Sequence, residues 1–427
     1  MRVAHLAVAA AASLIGFRSP AQQQRIPVRT LGPIASTDSA VVRAATSVRP
    51  LSFGGVLVLD NSRRRIVLLD STMKRVTTVA DTAVGAPNKF PYHPGYKLIS
   101  YFGDSTVFAD FDSQSLLVIA PNGTFARVMA APKPSDLQFL NGASTAIDPR
   151  GRLVYRSDRY PPANAPPSSP NDGPGKVTIV YGPDSAPIMR SDFNTRSVDT
   201  VVMFRIARAK MAYMTLARGS SFGTVVFDPL PLTDDWTLLP DGTIAIARGQ
   251  DYHIDWLDMN GNMTSTPKMP FDWKRITLEE KQALNDSLRK ADSVRRAHLP
   301  PPPPPSMVLE GGAARDPNRI PFTPIEPSEM SDYYPPVRYG QMRADPEGNA
   351  WLLPTTSLLS TGSITGPLTA PTGGLVYDVV NRRGAIVERV RLPEKRVLVG
   401  IGPGGVVYMN YAPAPGVVYL ERAKVQR

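Results

Sequence analysis

Polar residues recur at one position of a strand pattern that the sequence repeats six times, and this recurrence is the clearest sign of a site. If the repeats are arranged radially, these side chains lie near one rim of a central channel. Carboxylate, guanidinium and amide groups gathered there could bind a calcium ion, a sugar or the terminus of a peptide. The alternative is that they cap turns, which is the usual role of Asp and Asn at strand ends. The residues at this position are Asp60, Asp110, Asp158, Arg248, Thr355 and Asn410.

The sequence has only four histidines, so few of them are available to such a site. His5 lies near the N-terminus, His253 in a predicted strand and His298 at the end of a predicted helix. His93, in the loop that leads into the second repeat, could face the channel, and the alternative is an ordinary loop histidine. The sequence therefore argues against a metal site or catalytic centre that needs several histidines.

Other common catalytic arrangements are also missing from the sequence. The chain has no cysteine, which excludes a thiolate nucleophile, a thiolate metal site and disulfide bonds together. A serine nucleophile needs a base and an orienting third group. The serines between Gly219 and Gly223 do not open a predicted helix, so we interpret this stretch as a flexible loop. No glycine-rich loop precedes a helix in the way that phosphate binding requires.

The elements that must position these residues are recognisable from their turns. Each repeat has a glycine-containing turn, a strand of β-branched or aromatic residues, a polar turn and a second apolar strand. The turns at residues 148–151, 240–242 and 345–348 carry proline and glycine where tight turns between antiparallel strands favour them. The first turns of the six repeats contain Gly55, Gly103, Gly151, Gly242, Gly348 and Gly404.

Further turns at residues 121–123, 260–262 and 382–384 close an outer hairpin in several repeats. Four strands in up-and-down order are typical of a propeller blade. The sequence therefore predicts an all-β fold, a six-bladed β-propeller with four-stranded antiparallel blades, over residues 22–427. We expect residues 26–31 to supply the fourth strand of the last blade, which would remove the exposed edges at the two chain ends.

The first repeat resembles an NHL repeat. Its strand ends at Asp60 and the next begins at Arg65 and Ile66, which is the Asp-x-x-x-x-Arg-Ile spacing of that family. The second repeat keeps Asp110 but has Ser115 where the arginine would stand. The whole chain is similar to exported bacterial six-bladed propellers of mostly unassigned function. This resemblance implies a fold and a binding scaffold but no particular reaction, because propellers host unrelated activities.

Insertions interrupt the regular spacing of the repeats. In the third repeat, residues 160–175 are rich in Pro, Ser and Asn, which is typical of a surface loop. We expect residues 177–180 to pair with the strand at Leu153 after this loop. Residues 205–233 are predicted to be an irregular link to the fourth repeat.

The largest insertion covers residues 271–335, between the predicted blades four and five. Residues 277–280 have the pattern of a capping box, and apolar residues follow at helical spacing. This pattern predicts a helix over residues 278–298, ended by the prolines at 300–305. The insertion could be a lid or an arm that docks a partner, or a solvated decoration packed on the propeller.

The N-terminal residues have the pattern of a secretory signal peptide. Arg2 precedes an apolar run at residues 3–17, and Ser19 and Ala21 are small residues at the positions that signal peptidase reads. We therefore expect residues 1–21 to be removed and the protein to be periplasmic or extracellular. No later segment is apolar for long enough to predict a membrane span.

The formal net charge is +11, which by itself could favour an anionic partner. The basic residues are scattered, however, and the nearest cluster, residues 63–65, lies in a predicted hairpin turn. The sequence therefore does not predict nucleic-acid binding, and we expect a monomer with a mildly basic surface.

The function best supported by these patterns is non-enzymatic. We expect an exported scaffold that binds a small ligand, a glycan or a protein partner at its central channel face. The alternative is a metal-assisted hydrolase or lyase acting on a sugar-like or lactone substrate, with Ca²⁺ as the possible cofactor. A binding groove should be lined by aromatic residues and arginine, whereas an enzyme should show converging carboxylates with shifted pKa values. The candidate ligand-binding residues are Asp60, Asp110, Asp158, Arg248, Asn410 and His93.

Overall fold

The computed structural model describes residues 26–37, 42–82, 97–140, 142, 144–157, 175–215, 221–299, 323–361, 372–414 and 417–427. His93, Asp158, the predicted signal peptide and the prolines at 300–305 lie outside the described residues. Within these ranges the protein is all-β, apart from one long helix and several short 3-10 turns.

Strands dominate the first half of the chain. Two short strands, β1 (Val28–Arg29) and β2 (Ala35–Ser36), come first. The first sheet contains β3 (Ala45–Pro50), β4 (Val56–Asp60), β5 (Arg65–Leu69) and β6 (Val76–Asp81). The second sheet contains β7 (Leu98–Ser100), β8 (Thr106–Asp110), β9 (Ser115–Ile119) and β10 (Phe125–Ala130). The third sheet contains β11 (Ala146–Ile147), β12 (Leu153–Arg156), β14 (Ser185–Ser191) and β15 (Val198–Arg205). Strand β13 (Val177–Tyr181), which comes between β12 and β14 in the chain, belongs to a different sheet.

The second half continues this pattern after β16 (Lys210–Thr215) and β17 (Ser221–Phe227). The fourth sheet contains β18 (Asp235–Leu238), β19 (Ile244–Arg248), β20 (His253–Leu257) and β21 (Met263–Ser265). Helix α1 (Leu278–Ala297) and strand β22 (Thr323–Pro324) follow. The fifth sheet contains β23 (Arg343–Ala344), β24 (Ala350–Leu352), β25 (Val376–Val380) and β26 (Ile386–Arg391). The sixth contains β27 (Arg396–Gly402), β28 (Val406–Ala414) and β29 (Val417–Lys424).

Each pair of successive sheets shares a buried apolar core, and the strands within these sheets are hydrophobic on both faces. The sixth sheet shares such a core with the first, where Tyr408 and Leu420 pack with Val58 and Val67. The first strands also touch, β27 against β3, β3 against β7 and β7 against β11. All six sheets are therefore held face to face by side chains.

The N-terminal strands join two sheets, which corrects the expected closure by residues 26–31. Strand β1 pairs in parallel with β26 of the fifth sheet, whereas β2 pairs antiparallel with β29 and becomes the fourth strand of the sixth sheet. The N–H of Thr37 donates to the carbonyl of Leu420 at 2.9 Å. Gly32 and Pro33 interrupt the extended segment between the two strands, so one continuous strand cannot form there.

A separate sheet, the satellite sheet, is formed by β13, β16, β17 and β22 in that order. This corrects two predictions. Residues 177–181 do not pair with β12, whose partner is β14, and residues 205–233 are not an irregular link, because they contain β16 and β17. Ser221 and Gly223, in the expected flexible loop, belong to β17. Residues 177–180 were correctly predicted as a strand, but pairing between distant segments decided which sheet they joined.

Helix α1 begins where the sequence predicts and ends one residue earlier. The Glu280 N–H donates to Oγ1 of the N-cap Thr277, and the Thr277 N–H donates to the Glu280 carboxylate, which completes the capping box. On its buried side, Asn285 Nδ2 donates to the carbonyl of Ile325 at 2.8 Å, just beyond β22. The helix is therefore fixed to the satellite sheet.

Removing the N-terminal strands should destabilise the whole array. We expect a chain that lacks residues 1–37 to unfold at a temperature lower by on the order of 5 °C and to aggregate, because β26 and β29 then become exposed edges. A chain that lacks only residues 1–25 is the control. Calorimetry of the two proteins checks this, and equal unfolding temperatures would show that β1 and β2 contribute nothing to closure.

Candidate functional site

The two ends of the six sheets differ in the length of their connections. At one end, which we name the turn end, the first and second strands of every sheet are joined by at most five residues. At the opposite end, the loop end, lie the long connections, such as residues 206–234, 266–342 and 353–375. Because long loops on a rigid scaffold commonly carry function, the loop end is the better place for a site.

The turns at the turn end are fixed by their own side chains. Asp148 accepts hydrogen bonds from the N–H groups of Arg150 and Arg152, at 3.0 and 2.9 Å, and from the Arg152 guanidinium. Asp345 accepts from the Asn349 N–H and from Nε1 of the fully buried Trp351. These aspartates stabilise tight turns, which explains why Asp-Pro-x-Gly recurs in the sequence.

A cavity of about 680 Å³ lies at the turn end, and residues of all six sheets line it. Its charged groups are engaged within the protein. Arg49 donates to Asp104 at 3.0 Å, and Asp104 also accepts the Ser52 N–H at 2.7 Å. The same cavity is walled by Asp148 and Asp345, which cap turns. Its polar groups therefore serve the scaffold.

A second cavity lies at the loop end, and we name it the arginine cavity. Its volume is about 390 Å³, within the roughly 300–1,000 Å³ typical of ligand pockets. Four parts of the chain form it: the end of β12, residues 206–209 after β15, residues 225–231 at the end of β17, and residues between 335 and 339. Thr355, one of the six equivalent strand-end positions, also lines it.

Arginine is the main charged residue type in the lining of the arginine cavity. Three arginines line it, Arg156, Arg208 and Arg338, together with one carboxylate, Asp228. Burial lowers the pKa of Arg338. A partly buried cation interacts more strongly with a nearby anion than a cation in bulk water does. An anionic group that enters the cavity would therefore lie close to guanidinium groups.

Aromatic rings and apolar side chains complete the walls of the arginine cavity. The Arg156 guanidinium carbon lies 4.1 Å from the ring centroid of Tyr339. Buried Phe204, outside the lining of this cavity, stacks on Tyr339 with ring centroids 6.3 Å apart. Buried Ile206 and Leu230 supply apolar surface. The cation–π contact holds the Arg156 head group in the wall of the cavity.

Two aspartates shape the arginine cavity in different ways. Burial, with a smaller contribution from the negative charge of Glu329, raises the pKa of Asp228, while the Leu230 N–H opposes this shift. Asp235 lies at the start of β18 and accepts the N–H groups of Gln341 and Met342, at 2.8 and 2.7 Å. Asp235 is therefore a positioning residue for the segment that carries Arg338 and Tyr339.

The residues predicted at the rim of the channel have contacts that differ from one to the next. Asp60 is fully buried and accepts the N–H groups of Arg43 and Ala44, both at 3.1 Å. Asp110 accepts from the Asp112 N–H and the Ser113 hydroxyl. The contacts of Asp110 are those of a turn cap, whereas Asp60 fastens the segment before β3 to the end of β4.

Asn410 and Arg248, two further residues of the predicted rim, contact different parts of the protein. Asn410 Nδ2 donates to the carbonyl of Ala45 at 2.7 Å, which ties the sixth sheet to the first. Arg248 bridges Asp234 and Asp255 at 2.8 and 2.6 Å and lines a third cavity of about 470 Å³. Asp60, Asp110, Arg248 and Asn410 thus each have partners within the protein, and their role in binding stays a prediction.

The third cavity also contains a histidine between two carboxylates. His253 Nδ1 lies 2.6 Å from Asp251, and its Nε2 lies 3.1 Å from Asp255, which also accepts from the Ser265 hydroxyl. Arg248 and Lys268 face the same carboxylates. In the part of the chain that the structure describes, no group of three or more His, Asp or Glu side chains has an arrangement that would hold a metal ion.

Sequence reasoning missed the three arginines for two reasons. Arg156 ends β12, but the sequence analysis placed the end of that strand at Asp158. Arg208 lies in the predicted irregular link, and Arg338 lies just beyond the predicted insertion, so neither belongs to the repeat pattern.

Comparisons with known proteins leave the family open. No protein-family model matches the chain. No curated protein matches it either. Among solved structures, a member of the DUF4221 family from Bacteroides vulgatus has 9% identity and a TM-score of 0.45, covering 93% of this chain and 97% of that one.

Two other solved structures resemble the chain over a similar extent. Virginiamycin B lyase from Staphylococcus aureus has 8% identity and a TM-score of 0.38, covering 92% of this chain and 99% of the lyase. Regucalcin from Agrobacterium tumefaciens, described as a calcium-binding protein, has 11% identity and a TM-score of 0.33, covering 93% and 96%. At these identities and TM-scores, the likeness is one of broad architecture and transfers no activity. Separately, no helix within the described ranges is long and apolar enough to cross a membrane.

Asp235 should make stability depend on pH. Burial raises its pKa from 3.8 to about 6, so its protonated form stabilises the folded state fully below about pH 4. That contribution is lost as the pH rises through 6. Urea unfolding between pH 4 and 7.5 should show a steeper loss of stability in the natural protein than in Asp235→Asn, by on the order of 1–3 kcal/mol. Parallel pH profiles of the two proteins would contradict the shift.

Proposed function

We propose that the six sheets are the blades of one six-bladed propeller, completed by the N-terminal strand β2. The support is the series of apolar cores between successive sheets, together with the core that joins the sixth sheet to the first. In such a ring the first strands of the sheets surround the axis, so the turn end and the loop end are its two faces.

We propose further that this propeller is a binding protein for a small organic anion, held in the arginine cavity at the loop end. The observation that carries this proposal is the set of three arginines facing one carboxylate in a cavity with aromatic and apolar walls. Arginine binds a carboxylate through two parallel hydrogen bonds, and apolar walls accept the rest of an organic molecule. An aryl carboxylate or a uronic acid has this chemistry.

The enzymatic alternative remains a hydrolase or lyase, and its best location is the third cavity, around His253. There, both imidazole nitrogens face carboxylates, at 2.6 and 3.1 Å. A general base needs a nitrogen that can accept a proton from substrate. With both nitrogens engaged by Asp251 and Asp255, this geometry favours a structural imidazole, which is why binding is the leading proposal.

Export is part of the proposed function, as the N-terminal sequence predicts. A bacterial host that produces the full chain should deliver a periplasmic or secreted protein that begins at Gln22, because cleavage is expected after Ala21. Intact-mass measurement checks this. A mass that retains residues 1–21 in the exported fraction would contradict it.

Ligand binding can be tested with matched anionic and neutral probes. We expect calorimetric titration to show binding of 4-hydroxybenzoate or a hexuronate, and at least tenfold weaker binding of the matched amide or neutral hexose. Arg338→Gln should weaken anion binding by roughly 10- to 100-fold, because one charge-assisted contact is lost. Arg383→Gln, at an exposed turn of the fifth sheet, is the control and should bind as the natural protein does.

Two results would contradict the proposal. The first is that neither class of anion binds more tightly than its neutral counterpart. The second is that Arg338→Gln and Arg383→Gln behave alike, which would place any binding outside the arginine cavity.

A further inference from the structure

The satellite sheet has an outer edge that differs from the edges of the six main sheets. Strand β13 is the first strand of the satellite sheet, and in the described part of the chain no strand pairs with its outer side. Its sequence is Val-Thr-Ile-Val-Tyr, five residues without a charge, a proline or a glycine. Its ladder with β16 runs without a register shift. It is therefore a straight and uncharged edge.

The other outer edges are protected in the ways that natural sheets use. Strands β10 and β6 each contain a charged residue, Arg127 and Asp81, and a register shift. Strand β15 contains Asp199 and Arg205, and its ladder also shifts. The fourth and sixth sheets end in strands of three and two residues, and β26 of the fifth is covered by β1. Of the outer edges described, β13 alone lacks such protection.

The side chains on one face of β13 are apolar and exposed. Val177, Ile179 and Tyr181 are 52%, 40% and 49% exposed, and Met214, opposite Val177 on β16, is 45% exposed. Large apolar side chains aligned in a row on a strand are typical of a surface that another chain covers.

The residues with exposed side chains, 177, 179 and 181, also direct their backbone N–H and C=O groups away from β16. The Gly182 N–H donates to Ala209 at 2.8 Å, and the carbonyl of Lys176 accepts the Thr215 N–H at 2.9 Å. In an antiparallel ladder, alternate residues bond to the same neighbour, so the even-numbered residues of β13 face β16. The N–H and C=O groups of residues 177, 179 and 181 therefore point away from the sheet, toward an added strand.

The sequence of β13 is complementary to itself. If two copies pair antiparallel about a two-fold axis at Ile179, then Ile179 lies opposite Ile179, and Val177 lies opposite Tyr181. All three pairs are apolar, and an aromatic residue opposite a β-branched one is a favourable cross-strand pair.

We propose that the protein forms a two-fold dimer through β13, which joins the two satellite sheets into one continuous sheet. The contact is isologous, since the same residues serve both copies, and it closes on itself. This inference goes beyond the proposed ligand binding and does not depend on it. It also replaces the monomer that the sequence predicts, because nothing in the repeats reveals an edge built from an insertion.

Sedimentation velocity of the mature chain tests the dimer. We expect a concentration-dependent dimer in the natural protein and at least tenfold weaker association in Ile179→Pro. Proline removes an outward N–H and is tolerated on an edge strand. Val128→Lys is the control, because Val128 is 67% exposed on β10 of the second sheet, away from β13, and should leave association unchanged. An unchanged unfolding temperature would show that the satellite sheet stays folded in both variants.

Charge exchange tests the register. Val177→Lys should weaken the dimer, and adding Tyr181→Glu should restore it, because residues 177 and 181 lie opposite each other only across the two-fold axis. A monomer at 100 µM (roughly a hundred times a typical µM dissociation constant) would overturn the proposal. So would a dimer unaffected by Ile179→Pro. In a monomer, slow hydrogen exchange at residues 177, 179 and 181 would show that another segment of the same chain covers the edge, which also overturns it.

Discussion

Every main sheet of this protein is apolar on both faces, and this constraint governs the rest of the structure. A sheet of this kind is stable only when a neighbour covers each face. In the first sheet, Val58 and Val67 pack against residues of the sixth, while Leu57 and Ile66 belong to the core shared with the second. The first and last sheets therefore need each other. The short strand β2 adds to β29 of the sixth sheet, next to this junction, while β1 adds to β26 of the fifth.

The same constraint separates the roles of the two ends. The turns between first and second strands are short in all six sheets, and two of them are held by the buried aspartates Asp148 and Asp345. The other end is free to vary, and it carries the long connections, the satellite sheet and helix α1. Asp235 joins the main sheets to the long connections of the loop end. It belongs to β18, and its carboxylate accepts two backbone N–H groups of the segment before β23. The arginine cavity depends on that attachment.

Much of the scaffold could be predicted from the sequence, because repeats fix local structure. Turn residues and β-branched runs located β4, β8, β19 and their partners, and the capping box at Thr277 located the start of α1. The partners of β13 could not be predicted, since Val177–Tyr181 reads as a strand of any sheet and only long-range pairing assigns it. The arginines of the arginine cavity could not be predicted for a related reason. Arg208 and Arg338 are far apart in sequence, occupy no repeat position and meet only through the fold.

The most direct test of the central claim is a crystal structure of the mature protein soaked with 4-hydroxybenzoate. The account predicts ligand in the arginine cavity, with its carboxylate within about 3 Å of the guanidinium groups of Arg156 or Arg338. Ligand found only in the turn-end cavity beside Arg49, or beside His253, would contradict the claim that the loop end holds the binding site.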